Sequence, residues 1–308
     1  MRSIPAHTRR RARPWLGTLV DITLQGDEEA LLAATMEACF AAVERVHLLM
    51  SFHDAASDVS RLNREAAMRS VKVAAEVAKV LQMAKNISAQ SDGLFDITVA
   101  ARLCEHGHLP PGSSGNHSPP PDPDASWKDI VIGSDDRIKF RRPLLIDLGG
   151  IAKGFAVDQA LDVCHRAGPQ LRAARINAGG DLARYGEEQG QIGQRIQIRH
   201  PLDQSRLFDI DAGNCPAIAS SVYVDGNPVH LVPAGFQSQP ADASPFIGAT
   251  VLASSCMVAD ALTKVVMLDG GGAIAAHCLD FFAASAMVID RQRRVLRNAA
   301  AQAQLSYA

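Results

Sequence analysis

The sequence has little net charge and no long apolar run. Its 31 Lys and Arg residues nearly balance 33 Asp and Glu residues, which leaves a formal charge of −2. Such a chain has no global electrostatic field that attracts nucleic acid or an anionic membrane, so any anion must meet a local site. Because no run of about 18 uninterrupted apolar residues occurs, we expect no transmembrane helix.

Paired cysteines and an export signal are also missing. The six cysteines include no Cys-x-x-Cys pair and lie mostly in apolar runs, which predicts reduced core thiols and no zinc site. The N-terminus is basic but lacks the apolar segment of an export signal. The sequence as written therefore predicts a cytoplasmic protein, and a periplasmic one if its start lies upstream.

What the sequence does have is a high apolar content with clear periodicity. Apolar residues make up 47% of the chain and aromatic residues only 5%, which is typical of a well-packed globular protein. Alternating residues predict a strand from Leu16 to Gly26. Apolar residues spaced three and four apart predict helices from Asp27 to Met50 and from Val73 to Ser88. Because strands and helices come in runs, the pattern favours an α+β fold.

The second half is predicted to be mostly sheet. We expect a hairpin around residues 134–136, a buried strand over 144–150 that ends in a glycine turn, and a helix from Ala152 to about Val163. Another helix, capped by Ser254 or Ser255, follows several short strands.

One domain is expected over residues 15–297. Residues 1–14 are predicted to be a basic extension outside it. Residues 107–126 are rich in Pro, Gly and Ser, which predicts a flexible surface loop within the domain.

The segment DLGGIAKG, residues 147–154, has the features of an anion site. A glycine turn lets backbone N–H groups approach an anion, the following helix dipole favours negative charge, and Lys153 adds a full positive charge. The alternative is a tight turn with an exposed lysine. Gly179, Gly180 and Asp181 repeat the pattern after another strand, and there the alternative is a β-bulge.

A third segment, MVADALTK, places Asp260 and Thr263 one turn apart near a helix start. A carboxylate and a hydroxyl form a plausible oxygen-donor pair for Mg²⁺. The alternative is that Asp260 only complements the helix dipole.

Taken in order, these segments resemble one family. MSFHDAASDVSRLNR is similar to the family's MStyrpdSelSrlN, GLFDITV to GxFDiTv, IDLGGIAKGFAVD to iDLGGIAKGyavD, and INAGGDLARYG to vniGGDi. At least six motifs keep their order and spacing between Trp15 and Leu268. The chain is identified as a member of the ApbE-type FAD:protein FMN transferases.

The resemblance implies a bilobed α+β fold of mixed and antiparallel sheets flanked by helices, with an FAD cleft between the lobes. It also implies a Mg²⁺-dependent reaction. A Thr or Ser hydroxyl of an acceptor flavoprotein with a [ST]GAT-type motif attacks FAD, AMP leaves, and FMN stays on the acceptor. The alternative is an FAD-binding carrier or maturation factor of the same fold with little or no transferase activity.

Matching the motifs residue by residue assigns roles to positions of this chain. The metal ligands would be Asp260, the backbone carbonyl of Ala152 or of a neighbour in the same turn, and, where a distorted turn keeps the ion, Thr263. The catalytic residues would be His230, Asp260 and Lys264. The residues lining or bracing the flavin site would be Met50, Ser51, Phe52, Asp96, Thr98, Gly149, Gly150, Lys153, Asp158, Gly179, Gly180 and Asp181.

Two positions depart from the family pattern. The family's metal-binding threonine lies four residues after the aspartate, where this chain has Lys264, and Thr263 is rotated from that position by about 100° around the helix. Either the Lys264 ammonium supplies the charge of the metal, or Thr263 and a distorted turn keep the ion. The family's HIIDPRTG has also become HLVPAGFQ from His230 onward.

Overall fold

The computed structural model describes residues 7–110, 119–186, 195–200, 207–211, 215–222, 246–290 and 295–297. The helices of these ranges are α1 (Glu29–Met50), α2 (Asp58–Glu65), α3 (Ala75–Gln90), α4 (Ala100–Glu105), α5 (Ala152–Arg166), α6 (Cys256–Asp269) and α7 (Ala273–Phe281). The strands are β1 (His7–Trp15), β2 (Thr18–Gly26), β3 (Val71–Lys72), β4 (Ile130–Ile132), β5 (Arg137–Phe140), β6 (Leu171–Ala178), β7 (Asp181–Gly186), β8 (Arg195–Arg199), β9 (Leu207–Asp211), β10 (Ala217–Val222), β11 (Phe246–Ala253), β12 (Ser285–Asp290) and β13 (Val295–Arg297).

The main sheet has eight antiparallel strands in the order β1-β2-β6-β7-β10-β11-β12-β13. Helix α1 packs against β1 and β2, α5 against β6 and β7, and α6 against β10 and β11. Since α1 also packs on α5, and α5 on α6, the three helices form a layer across one face of the sheet. This arrangement brings residues near 150, 180 and 260 together in the middle of the fold.

The apolar periodicity of the helices explains this layer. In α1 the side chains of Leu32, Met36, Phe40 and Val43 recur at three- and four-residue spacing and are buried. Helix α6 lies deeper, because twelve of its fourteen residues are buried, including the polar Asp260. A helix buried on nearly all sides explains why its few polar groups find partners within the fold.

Smaller sheets complete the fold. Strands β3, β5 and β4 form a three-stranded antiparallel sheet, and β8 pairs with β9. Helix α3 packs against β4 and also contacts α1, α6 and α7. Helices and antiparallel sheets in separate runs confirm the predicted α+β class. No helix within the described ranges is both long and apolar enough to cross a bilayer.

Most of the predicted elements are confirmed. Helices α1, α3, α5 and α6 form close to their expected bounds, and Ser255 rather than Ser254 caps α6. The predicted hairpin is β4 and β5 with a short 3-10 turn at Ser134–Asp136. Residues 111–118 of the predicted loop 107–126 lie outside the described residues, and the described part of that loop has no helix or strand.

Two expectations are corrected by the structure. The segment 144–148 is mostly buried and extended but is not a strand, because its backbone bonds to the Asn63 side chain and to the carbonyl of Ile97 in a short 3-10 helix instead of a neighbouring strand. The basic segment expected to lie outside the domain contributes β1, which pairs with β2 along its whole length from His7 to Trp15.

Candidate active site

The first glycine turn, Gly149–Gly150, joins the buried extended segment to α5. The Asp147 amide donates to the Ile97 carbonyl at 2.9 Å, and the Asp147 carboxylate accepts from the Gly149 amide at 3.0 Å. A Cβ at Gly149 would lie 2.9 Å from that carboxylate, which is closer than real Cβ contacts. Because that contact is with the end of a side chain, a small shift of the Asp147 carboxylate would relieve it. Burial raises the pKa of Asp147.

Asn63 anchors the segment that leads into this turn. Its side-chain amide donates to the Ile146 carbonyl at 3.0 Å, and its side-chain oxygen accepts from the Ile146 amide at 2.8 Å. Because one side chain satisfies both backbone groups of Ile146, the segment stays extended without a partner strand. Asn63 was not singled out from the sequence, although it ends the matched string SRLN, which is the signal that identifies it.

The second glycine turn, Gly179–Gly180, connects β6 to β7. Both glycines have positive φ, +64° and +103°, which side chains disfavour. The Gly180 amide donates to Asn177 Oδ1 at 3.0 Å, and the Gly180 carbonyl accepts from the Ser220 amide at 3.2 Å. The turn thus lies beside β10, and Asp181 follows it directly.

Helix α6 is held close to α5 at its N-terminus. Asp158 of α5 accepts hydrogen bonds from the Cys256 and Met257 amides at 2.7 and 2.9 Å. A carboxylate is favoured there by the free N–H groups and the helix dipole. Burial nevertheless raises the pKa of Asp158 to about 6. Asp158 therefore braces the two helices, and its part in cofactor binding stays a prediction.

Lys153 joins the three segments. Its ammonium donates to the Gly149 carbonyl at 3.2 Å and lies 3.3 Å from Asp181 Oδ2 and 3.5 Å from Asp260 Oδ2. The two carboxylates are 2% and 0% exposed, whereas 27% of the Lys153 side chain is exposed. Of these three charged side chains, Lys153 is the most exposed.

Lys264 contacts the other side of Asp260. Its ammonium pairs with Asp260 Oδ1 and donates to the Asp260 carbonyl at 2.9 Å and to Ser221 Oγ at 3.3 Å. Asp260 Oδ2 accepts from the Gly154 amide at 3.2 Å and lies near Lys153. Both carboxylate oxygens of Asp260 are therefore occupied by N–H donors.

Burial and ion pairing shift the pKa values of this cluster in opposite directions. Burial alone would raise the pKa of Asp260, but the Lys153 and Lys264 ammonium groups outweigh it and hold that pKa at about 2. Burial raises the pKa of Asp181 to about 7, and the charge of Asp260 adds to this effect. Burial acts to lower the pKa of Lys153, yet Asp260 and Asp181 together raise it. The cluster therefore favours Asp260 as the carboxylate and Lys153 as the ammonium.

The expected flavin-contacting residues, Met50 to Phe52, span the last residue of α1 and the loop that follows it. Ser51 Oγ accepts from the His53 and Asp54 amides, both at 3.2 Å, which shapes the loop. The Phe52 ring is only 4% exposed and packs with Leu145, just before the first glycine turn. Met50 is also buried, so a direct contact of the Met50 and Phe52 side chains with a flavin stays a prediction.

Asp96 and Thr98 brace the site from another side. Asp96 Oδ1 accepts from the Thr98 amide at 2.8 Å and from the Thr98 hydroxyl at 2.7 Å. Asp96 Oδ2 accepts from the Trp127 amide at 3.3 Å, and burial raises the pKa of Asp96. The carbonyl of Ile97, which lies between them, accepts the hydrogen bond from the Asp147 amide. Asp96 and Thr98 therefore help to position the first glycine turn.

The predicted metal ligands lie near one another in the structure, but the Asp260 and Thr263 side chains already bond to other groups of the protein. The Thr263 hydroxyl donates to the Asp260 carbonyl at 2.7 Å and bonds Ser221 Oγ at 2.7 Å. Ala152 is the first residue of α5, next to Lys153. Among the residues that the structure describes, no cluster of three or more His, Cys, Asp or Glu side chains is arranged to hold a metal ion.

One predicted site residue lies outside the described part of the chain, and one residue that was not predicted contacts the site. His230, the predicted proton-handling residue, lies outside the described residues. Ser221 bonds both Thr263 and Lys264 but was not singled out from the sequence, because a serine in a short strand carries no distinctive signal.

Comparison with known proteins gives a consistent result. Residues 16–280 match the model of the ApbE family. A FAD:protein FMN transferase of Rhodobacter capsulatus is 28% identical over 61% of this chain, which spans only 36% of that relative's length. One of Vibrio cholerae serotype O1 is 25% identical over 74% of this chain and 71% of its own length.

The fold comparison agrees with the sequence comparison. The solved structure of the flavin transferase ApbE from Vibrio cholerae has a TM-score of 0.79 to this chain, at 21% identity. The match covers 98% of this chain and 100% of that one, so the two share their fold.

Proposed function

The chain belongs to the ApbE family, and from that premise we propose that it is an FAD:protein FMN transferase. The observation that carries the proposal is the convergence of two glycine turns and the α6 carboxylate on the Lys153 ammonium. Backbone turns and ammonium groups suit the diphosphate bridge of FAD, since phosphoryl transfer needs positioning and charge neutralisation more than covalent chemistry.

In the proposed reaction, a Thr or Ser hydroxyl of an acceptor flavoprotein attacks the phosphorus on the riboflavin side of FAD. A P–O bond forms to the acceptor, the bond to the bridging oxygen breaks, and AMP leaves with that oxygen. Lys153 and Lys264 offset the negative charge of the diphosphate. We assign the proton of the hydroxyl to His230, from its place in the matched motif. The acceptor is proposed to carry a [ST]GAT-type motif.

Mg²⁺ is the cofactor that the family resemblance implies, and the residues present fit it poorly. Asp260, its expected ligand, has Lys264 at one oxygen and Lys153 with the Gly154 amide at the other. Thr263 donates its hydroxyl proton within its own helix. We therefore derive no step of the reaction from a metal ion.

Incubation with FAD and an acceptor domain bearing a [ST]GAT motif tests the proposal. We expect release of AMP, seen by chromatography, and a flavin-fluorescent acceptor band on a denaturing gel. An acceptor with the motif Thr or Ser changed to Ala is the control and should stay dark. FAD retained unchanged with no AMP, both with Mg²⁺ and with EDTA, would reject the transferase.

That same outcome would favour the second candidate, an FAD-binding carrier or maturation factor. The observation behind it is the altered sequence after His230, which lacks the Asp, Arg and Thr of the family motif. Flavin binding depends on the glycine turns, whereas these losses fall in the segment expected to hold the acceptor.

A further inference from the structure

The Asp260 carboxylate is enclosed by cations that belong to the protein. Lys264 pairs with Oδ1, and Lys153 lies 3.5 Å from Oδ2, which also accepts from the Gly154 amide at 3.2 Å. A Mg²⁺ ion needs an oxygen lone pair at about 2.0–2.1 Å. An ion at either oxygen would lie against one ammonium or both, and like charges repel most strongly where burial excludes water.

Lys264 is held in this place by more than its ion pair. Its ammonium also donates to the Asp260 carbonyl and to Ser221 Oγ. Its carbon chain runs beneath the first glycine turn, since a Cβ at Gly150 would lie 3.6 Å from Lys264 Cε. Only 11% of the side chain is exposed. To admit a metal ion, Lys264 would have to break these bonds and leave a packed position.

We propose that the Lys264 ammonium takes the place of a divalent metal ion at Asp260, so that the site binds and uses FAD without Mg²⁺. The use of FAD rests on the proposed function, whereas the exclusion of the metal does not. Charge supports the replacement, because Lys264 pairs with the carboxylate from one helical turn away and needs no supply of metal.

Mn²⁺ binding to the ligand-free protein tests the exclusion. Electron paramagnetic resonance reports free Mn²⁺, and we expect the wild-type protein to leave that signal unchanged. Lys264→Thr frees Asp260 and adds a hydroxyl, so this variant should lower the signal, and adding Asp260→Asn to it should restore the signal. Lys85→Thr is the matched control, because Lys85 donates to the Ile130 carbonyl away from Asp260.

Two results of this titration would overturn the proposal. One is Mn²⁺ uptake by the wild-type protein that Asp260→Asn removes. The other is a Lys264→Thr variant that takes up no Mn²⁺ although its circular dichroism spectrum shows it folded. In the second case Lys264 would not be what keeps the ion away.

The second part of the proposal, that FAD binds without Mg²⁺, is tested on the wild-type protein alone. We expect the Kd from fluorescence quenching to agree within about twofold between EDTA and Mg²⁺. A loss of affinity beyond about tenfold in EDTA would overturn the proposal. No FAD binding in either condition would reject the proposed function, and with it the claim that FAD binds without Mg²⁺. The Mn²⁺ titration would still decide whether Lys264 excludes the metal ion.

Discussion

At the scale of single residues, Lys153 is in a position that its helix alone disfavours. A cation in the first turn of α5 faces the positive end of the helix dipole, an effect of about 0.3–1 kcal/mol. Two carboxylates at 3.3 and 3.5 Å oppose that effect. At an effective dielectric constant of about 20, one opposite-charge pair near 4 Å attracts by roughly 4 kcal/mol. The ion pairs therefore decide the placement of Lys153.

The raised pKa of Asp181 predicts a pH dependence of stability. Its pKa rises from 3.8 to about 7 on folding, mainly through burial, so the folded state holds a proton that the unfolded state releases between these values. Stability should therefore fall as the pH rises from about 4 to about 7, by a few kcal/mol at most. Asp158, with a pKa raised to about 6, has the same sign.

Urea unfolding at several pH values measures this slope. Asp181→Asn should flatten it, because the amide does not titrate, and Asp158→Asn should remove a smaller part. The low pKa of Asp260 acts in the opposite sense and only in acid, where stability falls as the pH drops through about 2. An unchanged slope in Asp181→Asn would contradict the assignment.

At the scale of elements, the site depends on how closely α5 approaches α6. A Cβ at Gly154 would collide with the Cys256 carbonyl, and that backbone has little room to move. We expect Gly154→Ala to force the helices apart and to destabilise the protein by about 1–3 kcal/mol, as overpacking does. The urea midpoint measures this loss.

Gly150→Ala provides the matched comparison for stability. A Cβ there would meet Lys264 and Phe95 at 3.6 Å, an ordinary contact distance. Its midpoint should change much less than that of Gly154→Ala. Equal losses in the two variants would show that helix contact is not what requires glycine at position 154.

Asn63 carries a prediction about the segment before the first glycine turn. Asn63→Ala leaves both backbone groups of Ile146 without their partner, and buried orphaned groups cost about 1–3 kcal/mol. The variant should lose stability in urea and also FAD affinity, because the segment orients the turn. Asn86→Ala in α3 is the control and should retain both. Normal FAD affinity in Asn63→Ala would show that the turn holds its shape unaided.

The same segment shows what the sequence can and cannot predict. Regular spacing predicted α1 and α5, and the serine pair 254–255 marked the start of α6, which Ser255 caps. Residues 144–150 resembled a strand because most of them are apolar. An apolar sequence indicates burial but not a partner strand, and Asn63, the side chain that takes the place of a partner, is 83 residues away. Likewise, β1 was not predicted because its sequence is basic and has few apolar residues. It forms a strand through backbone pairing with β2, which the side chains do not indicate.

At the scale of the whole molecule, the candidate site exists only because the main sheet brings distant segments together. The motifs singled out Gly149, Lys153, Asp181 and Asp260 one by one, but they did not predict that the Lys153 ammonium would lie against the other three. That contact follows from the strand order, in which β7 lies next to β10, with α5 packed on β7 and α6 packed on both strands. The spacing of the motifs along the chain does not reveal this strand order.

Hydrogen exchange tests this convergence across the molecule. If FAD binds where the segments meet, it should slow amide exchange together at residues 149–154, 179–181 and 255–260, which are far apart in sequence. Saturating ligand also stabilises the fold, by about 2.7 kcal/mol at 100 times Kd, so exchange through global opening slows everywhere. The informative signal is therefore the extra protection of these segments over peptides from α3, which serve as the internal control. Protection of only one segment would mean that FAD contacts a single turn, and the three-way junction at Lys153 would then be structural rather than part of the binding site.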